Sequence, residues 1–387
     1  LFVVPPWTGH VNPTVSIARA LVDGGHEVAW AGYGVVIGRL LPEGARLFEL
    51  GDGVPAAFAP RPPDAPELRH LESLKFLWEA LLVPLAGAMR APVEEVIAAY
   101  RPDVVVVDHQ AIGGALAARR AGVPWASLCT TSASVVDSLG GLPKVKAWVD
   151  EQLRALELAA GLPAAAAPDL SPARVIVLST PALIGEVALP AHYRLVGPAL
   201  LARPDATPFP WDALDPERRR VFVSFGTVSV DRGGRFYDHV VDGLGHGPWQ
   251  LILVAPPGRV AAPPGSDAIV VPRVPQLALL PHVHAVVCHA GHNTVCESLA
   301  ARLPLVVAPI RDDQPVIADQ VARAGAGLRL HFGRLSPTGL VTAVGRVLDE
   351  PAFGAAAARI AASFAAAGGA IEAARLIVEL DAPEVGR

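Results

Sequence analysis

Three cysteines in 387 residues, Cys129, Cys288 and Cys296, are too few for a disulfide scaffold, and no Cys/His spacing fits zinc. Charge is scarce too. Only 18% of residues are Asp, Glu, Lys or Arg, against 52% hydrophobic, which excludes a disordered chain. The balance is slightly acidic, −5, and tells against a nucleic-acid binder that works by counterion release. No uncharged apolar run reaches the roughly 18–20 residues of a membrane span. The opening LFVVPPWTGH has no basic flank and is too short for a secretory signal. The expectation is a soluble, cytoplasmic protein whose first residues form a core strand. Lysine is nearly absent, 3 residues against 29 Arg, and Pro is abundant at 38; that composition suits a GC-rich genome and carries no mechanism.

Familiar nucleotide-handling patterns are missing as well. There is no G-x-x-x-x-G-K-[ST] phosphate loop, and no G-x-G-x-x-G follows the first strand. The first turn instead reads Pro5-Pro6-Trp7-Thr8-Gly9-His10, which tells against an NAD-dependent dehydrogenase. No Asp-x-Asp offers a metal bridge to a nucleotide diphosphate; Asp312-Asp313 is the nearest approach. No G-x-S-x-G elbow points to a hydrolase.

What the chain does have is alternation. Short β-branched runs at 1–5, 26–31, 103–107, 124–128 and 174–178 are separated by helical stretches near 13–23, 85–100, 110–121 and 147–160. A second series follows, with strands at 220–224, 249–254, 284–287, 304–307 and 327–330 and helices near 232–244, 293–301, 313–325 and 336–348. This order predicts an α/β fold: two Rossmann-like parallel-sheet domains facing across a cleft, with ligands outside the carboxyl ends of the strands. The expected bounds are 1–200 for the first domain, 201–219 for a Pro- and Asp-rich linker, 220–365 for the second, and 366–387 for a C-terminal helix packing back on the first. The segments 51–90 and 129–150, the former with a long Pro-rich loop, carry no motif and would shape a binding pocket.

In the second half, Val286-Val287-Cys288-His289-Ala290-Gly291-His292-Asn293-Thr294 reads as a buried strand, a turn and a helix start. Backbone N–H groups and the positive end of the helix dipole favour an anion there, and His289 could donate to a phosphate oxygen. Read locally, Thr294-x-x-Glu297 is equally a capping box. Ser224-Phe225-Gly226-Thr227 ends the first strand of this half, with Thr227 either near phosphates or a capping residue.

In the first half, Asn12-Pro13 reads as an N-cap with Pro at N1, which leaves His10 at the carboxyl end of the first strand. Asp108 follows Asp103–Val107, and alone it would cap the helix near Gln110. Two titratable groups at adjacent strand ends form a His–Asp pair by topology. His109 is expected to point away from Asp108, and His26 to be structural.

These residues resemble a known signature. Arg273-Val274-Pro275-Gln276, then His289-x-Gly291-x-Asn293-Thr294-x-x-Glu297, then Pro304, then Asp313-Gln314 are similar to the nucleotide-sugar signature W-x-P-Q … H-x-G-x-N-[ST]-x-x-E … G-x-P … [DE]-Q. That signature belongs to the GT-B glycosyltransferases of plant natural products and of bacterial macrolides and polyketides. Gly9-His10-Val11-Asn12-Pro13 likewise matches the family's G-H-x-x-P. The resemblance implies that His10 is the catalytic base and Asp108 its partner. It implies that Val274 and Gln276 bind the pyrimidine through main-chain groups and that His289 binds the diphosphate, with Gly291 allowing close approach. Asn293 and Thr294 would add donors at the helix start and Thr227 would sit near the phosphates. Glu297 would accept from ribose hydroxyls, and Asp313 and Gln314 would hold the sugar. Three positions depart from the pattern. Arg273 replaces the base-stacking aromatic, Arg302 replaces the Gly of G-x-P, and Ile317 stands where many members have Asn.

The implied activity is inverting, metal-independent transfer of a sugar from a nucleoside-diphosphate sugar, UDP- or dTDP-linked, to a hydroxyl of a hydrophobic natural product. No cofactor, metal, nucleic acid or membrane is expected, and a homodimer is allowed for. A nucleotide-sugar epimerase, a lipid-linked sugar transferase and a catalytically silent helper of a partner transferase are the alternatives. The last is disfavoured by the presence of both His10 and Asp108.

Overall fold

A computed structural model describes residues 1–51, 54, 58, 71–136, 141–201, 205, 207–226 and 234–380. Thr227, one of the expected donor-site residues, lies outside them. The chain forms two compact units.

The first unit comprises Leu1–Ser179, Val187–Arg203 and Ala367–Arg387. Its strands are β1 (Phe2–Val3), β2 (Ala29–Gly32), β3 (Arg46–Glu49), β4 (Val105–Asp108), β5 (Trp125–Cys129), β6 (Val175–Val177) and β7 (Tyr193–Leu195). They form one parallel sheet in the order β3-β2-β1-β4-β5-β6-β7. The helices are α1 (Thr8–Asp23), α2 (Gly34–Ile37), α3 (Leu71–Phe76), α4 (Val83–Tyr100), α5 (Ile112–Ala121), α6 (Pro143–Ala159) and, from the chain's end, α14 (Gly369–Val378). A π-helical turn, Leu77–Leu82, joins α3 to α4. Alternate residues of each strand feed opposite cores, as a sheet covered on both faces requires. Phe2, Val106 and Leu128 pack with Ile17 and Leu21 of α1 and Ala373 and Ile377 of α14. Val3, Val105 and Val107 pack with Leu85, Met89 and Val93 of α4 and Ala115 of α5.

The start of α1 differs from the reading of Asn12-Pro13 as cap and first helical residue. Trp7 is extended (φ −126°, ψ 128°), the helix begins at Thr8, and Pro13 lies inside it. Val11 is fully buried and begins the apolar stripe continued by Val15 and Ala18, so tertiary burial carries the helix one turn further back. It does so despite the bond to Gly9 that Pro13 cannot donate. His10 therefore sits in the first turn of a helix.

The second unit comprises Thr180–Glu186 and Pro204–Ala366. Thr180–Glu186, which carries the short α7 (Pro181–Ile184), had been expected in the first domain; it packs instead on α11. The strands β8 (Arg220–Ser224), β9 (Gln250–Val254), β10 (Ile269–Val271), β11 (Ala285–Cys288), β12 (Leu305–Val307) and β13 (Gly327–Arg329) form a parallel sheet in the order β10-β9-β8-β11-β12-β13. Its helices are α8 (Gly234–Leu244), α9 (Gln276–Leu279), α10 (His292–Ala300), α11 (Gln314–Arg323), α12 (Pro337–Asp349) and α13 (Pro351–Ala367). One face buries Val221, Val223, Leu251 and Val287 under Tyr237 and Val240 of α8 and Leu340 and Val344 of α12.

Two helical stretches, Leu71–Tyr100 and Pro351–Val378, are long and apolar enough to cross a membrane by length and composition. Half of the apolar window of the second is buried inside the protein.

Candidate active site

Both sheets reverse direction of winding once. In the first unit the switch falls between β1 and β4, and in the second between β8 and β11. The crevice at the carboxyl ends of such strand pairs is where open α/β sheets bind ligands; His10 and Asp108 lie at the first switch point, and His289 and the start of α10 follow β11 at the second.

In the first unit, His10 leaves the β1 end and Asp108 closes β4. Nδ1 of His10 lies 2.9 Å from each oxygen of the Asp108 carboxylate. The Asp108 side chain is fully buried and that of His10 about one-sixth exposed. Burial alone would raise the carboxyl pKa; the charges of His10 and His109, and the hydrogen bonds from His10 and the Gln110 N–H, outweigh it and hold the group below its ordinary value. An ionised carboxylate only accepts, so Nδ1 carries a proton, and in the neutral ring the lone pair is on Nε2. Asp108 also accepts from the Gln110 N–H at 2.9 Å, a local turn contact; α5 itself starts two residues later, after Ala111.

Two further side chains belong to this cluster. Thr130, just past β5, donates to Asp108 Oδ2 at 2.8 Å, and its oxygen is 2.9 Å from His10 Nδ1. His109 does not point away as expected. Its Nδ1 is 3.6 Å from Asp108 Oδ1, and its ring stacks on that of His10 with centroids 5.5 Å apart. A strand residue would turn to the other face, but His109 follows the last β4 residue, where the chain leaves strand geometry. Trp7 packs against the His10 ring at 5.4 Å and against Phe58 at 5.2 Å, giving the base an aromatic wall. Nitrogen and carboxylate donors of His10, Asp108 and His109 all lie within 4.8 Å of one another, a set that suits a divalent cation by donor type. Each Asp108 oxygen, however, already accepts two hydrogen bonds.

In the second unit, His289 follows β11 and is 7% exposed. Its imidazole lies in a slot between two glycines. A Cβ on Gly226 would come within 2.7 Å of the ring, and one on Gly291 within 2.5 Å of Nε2. Gly291 thus makes room first for His289 itself. Burial pulls the pKa of His289 down to about 4, with Asp313 and Arg311 acting in opposite directions. A backbone hydrogen bond at Ser224 also works against burial, and the ring is neutral at pH 7. Beside it α10 opens after Gly291 with no side-chain cap, and first-turn N–H groups with a positive dipole end favour an anion there. The capping-box reading fails, because the helix starts at His292 rather than Thr294, which puts Thr294 and Glu297 inside it. Glu297, buried, accepts instead from the side-chain amide of Gln276 at 2.5 Å. Arg273 and Val274 lie in the segment leading into α9, Arg273 exposed. Asn293 and Thr294 fill the first turn of α10. Asp313 immediately precedes α11. The side-chain carbonyl of Gln314 is committed to the N–H groups of Ile310 and Arg311, at 2.8 and 3.1 Å, so only its NH2 end is left for a ligand.

Residues 209–363 match the family described as UDP-glucoronosyl and UDP-glucosyl transferase. A 4'-demethylrebeccamycin synthase from Lentzea aerocolonigenes is 30% identical over 97% of this chain and 98% of its own length. Among solved structures, the glycotransferase of kitacinnamycin superposes with a TM-score of 0.78 at 24% identity, covering 99% of this chain and 98% of the other. The glycosyltransferase VinC, in complex with dTDP, gives 0.75 at 20% identity over 98% of both. The fold, two α/β units with parallel sheets, is that of the GT-B glycosyltransferases. The chain belongs to the UDP-glucoronosyl and UDP-glucosyl transferase family and is a glycosyltransferase.

Proposed function

We propose that the protein transfers a sugar, with inversion and without a metal, from a nucleoside-diphosphate sugar to a hydroxyl of a hydrophobic natural product. The observation that carries this reading is the Asp108–His10 pair, with Nδ1 at 2.9 Å from both carboxylate oxygens, which makes Nε2 the basic nitrogen of the neutral ring. His10 Nε2 takes the proton of the acceptor hydroxyl as its oxygen bonds to the anomeric carbon and the bond from that carbon to the diphosphate breaks. Asp108 stabilises the imidazolium that forms. A single displacement inverts the carbon. The leaving diphosphate is met by His289, donating as a neutral imidazole, and by the start of α10, with Asn293, Thr294 and, outside the described residues, Thr227 as further donors. Fixed donors of this kind supply the stabilisation a cation would otherwise give. Val274 and Gln276 hold the base of the nucleotide with the Arg273 guanidinium beside it, Glu297 the ribose, and Asp313 and Gln314 the sugar.

The dTDP bound by VinC and the antibiotic named in the Lentzea relative support a dTDP- or UDP-sugar donor and an antibiotic-type acceptor. The three cysteines are free and buried, in keeping with a reducing cytoplasm.

His10→Ala is expected to lower kcat by about 10²–10⁴-fold while calorimetry shows unchanged nucleotide affinity, and Asp108→Asn to lower it strongly as well. The product anomer read by NMR should be inverted, and turnover should persist in EDTA. Undiminished turnover in His10→Ala would remove the base, and a strict metal requirement would remove the metal-free leaving-group step.

A further inference from the structure

We propose that Thr130 is a positioning residue of the transfer reaction, holding the Asp108 carboxylate in the plane that keeps the proton of His10 on Nδ1. The inference rests on the reading of His10 as the base.

The sheet register puts Thr130 there. Asp108 of β4 pairs with Leu128 of β5, and paired residues of a parallel sheet point to the same face. Thr130, two residues beyond Leu128, returns to that face one step further along, at the strand ends where His10 arrives from β1. It is 3% exposed, so its hydroxyl has few options. That hydroxyl has one proton to give and lies 2.8 Å from Asp108 Oδ2 and 2.9 Å from His10 Nδ1. If the proton goes to the carboxylate, which has none of its own, the Thr130 oxygen turns a lone pair toward Nδ1. Nδ1 then faces three acceptors, both Asp108 oxygens and the Thr130 oxygen. A lone pair on Nδ1 would be opposed by all three, and a proton is welcomed by all three.

The second effect is on the carboxylate itself. Asp108 Oδ1 is tied to the Gln110 N–H at 2.9 Å and Oδ2 to Thr130. With both ends anchored, the group cannot rotate about its Cβ–Cγ bond, and both oxygens stay equidistant from Nδ1. With Oδ2 released, a carboxylate held at one end can swing. The imidazole then loses the fixed partner that selects the tautomer with a basic Nε2. A base in the wrong tautomer cannot accept the acceptor's proton, however well it is placed.

The test uses the full-length protein in three variants. Thr130→Val keeps the shape and removes the hydroxyl, Thr130→Ser keeps the hydroxyl, and Thr130→Ala replaces Val should the isostere fail to fold. Nitrogen-15 NMR of the histidines, with His10 assigned by its absence in His10→Ala, reads the tautomer without any turnover. In the unaltered protein His10 is expected as the Nδ1–H form. In Thr130→Val that signature is expected to give way to a mixture, kcat to fall about ten- to hundredfold and the donor KM to hold, with Thr130→Ser restoring both. An unchanged tautomer in the Val or Ala variant overturns the proposal whatever the rate, as does a Ser variant that fails to restore it. Loss of the base assignment would show separately, as full activity in His10→Ala.

Discussion

The His289 ring fits only because two neighbours have no side chain. Gly226 has φ +65°, a conformation that favours glycine on its own account. Gly291 has φ −62°, which any residue adopts, so the demand there is purely steric: a Cβ would sit 2.5 Å from Nε2. Gly291→Ala should therefore push the imidazole out of its slot and weaken nucleoside-diphosphate binding about as much as His289→Ala does. The double variant should be no worse than either single one, since the two changes remove the same contact. Calorimetry with dTDP or UDP measures all three, and additive losses would mean that Gly291 acts on the ligand independently of His289. The same scale shows where the sequence stops being readable. His10 and Asp108 were legible because Asp108 ends a strand of obvious apolar pattern and His10 lies in the helix turn that follows another, and strand ends are where α/β sites gather. Thr130 was not, because its place depends on the pairing of Asp108 with Leu128, and register leaves no mark in a run buried on both faces. His109 was misjudged by extending strand alternation one residue past the end of β4.

At the scale of elements, the turn after α10 shows how a departure from the family pattern is absorbed. Leu303 N donates to Ser298 O at 3.0 Å and Arg302 N to Leu299 O at 2.9 Å, the paired bonds of a Schellman end. Arg302 occupies the left-handed position at φ +62°, where the family pattern has glycine. The turn is kept, and the exposed arginine bears the strain. A non-glycine residue there costs roughly 1–2 kcal/mol, partly offset by the greater freedom that glycine loses on folding. Arg302→Gly is thus expected to stabilise the protein by about 0.5–1 kcal/mol, seen as a higher midpoint in denaturant with an unchanged slope. A lower midpoint would mean that the arginine side chain makes a contact worth more than the strain. Most of the ten strands expected from the sequence lie on Val-, Ile- or Leu-rich runs, as β4, β8, β9 and β11 do. The three it did not reveal are β3, β7 and β10, each at a sheet edge. β3 reads Arg46-Leu47-Phe48-Glu49 with its two ends exposed, and β7 and β10 are three residues long. An edge strand is paired on one side only and needs less apolar sequence to stay in place, so it carries less signal. The π-helical turn at Leu77–Leu82 was hidden for a different reason: Pro84, at the start of α4, reads as a helix beginning and masks the helical turns before it.

For the whole molecule, a buried neutral histidine ties stability to pH. Burial holds the His289 pKa at about 4, against about 6.5 in an unfolded chain. Between those values the unfolded state carries a proton that the folded state lacks, so acidification favours unfolding. The contribution is fully present above pH 6.5 and is lost as pH falls toward 4. At about 1.4 kcal/mol per pH unit across that window, it amounts to about 3 kcal/mol in all, and about 2 kcal/mol by pH 5. The wild-type curve alone does not isolate it. Burial pushes the Asp169 carboxyl up to about 6, and a raised carboxyl works the other way, favouring the folded state as pH falls from 6 toward 4. His289→Gln keeps a polar group in the slot and cannot titrate, while Asp169 is common to both proteins. The comparison is therefore the unfolding free energy in denaturant at pH 7.5 and pH 5, for wild type and variant. Wild type should lose about 2 kcal/mol more than His289→Gln over that interval. Parallel losses would mean that the imidazole takes up its proton in the folded protein as readily as in water, and that the glycine-lined slot admits solvent.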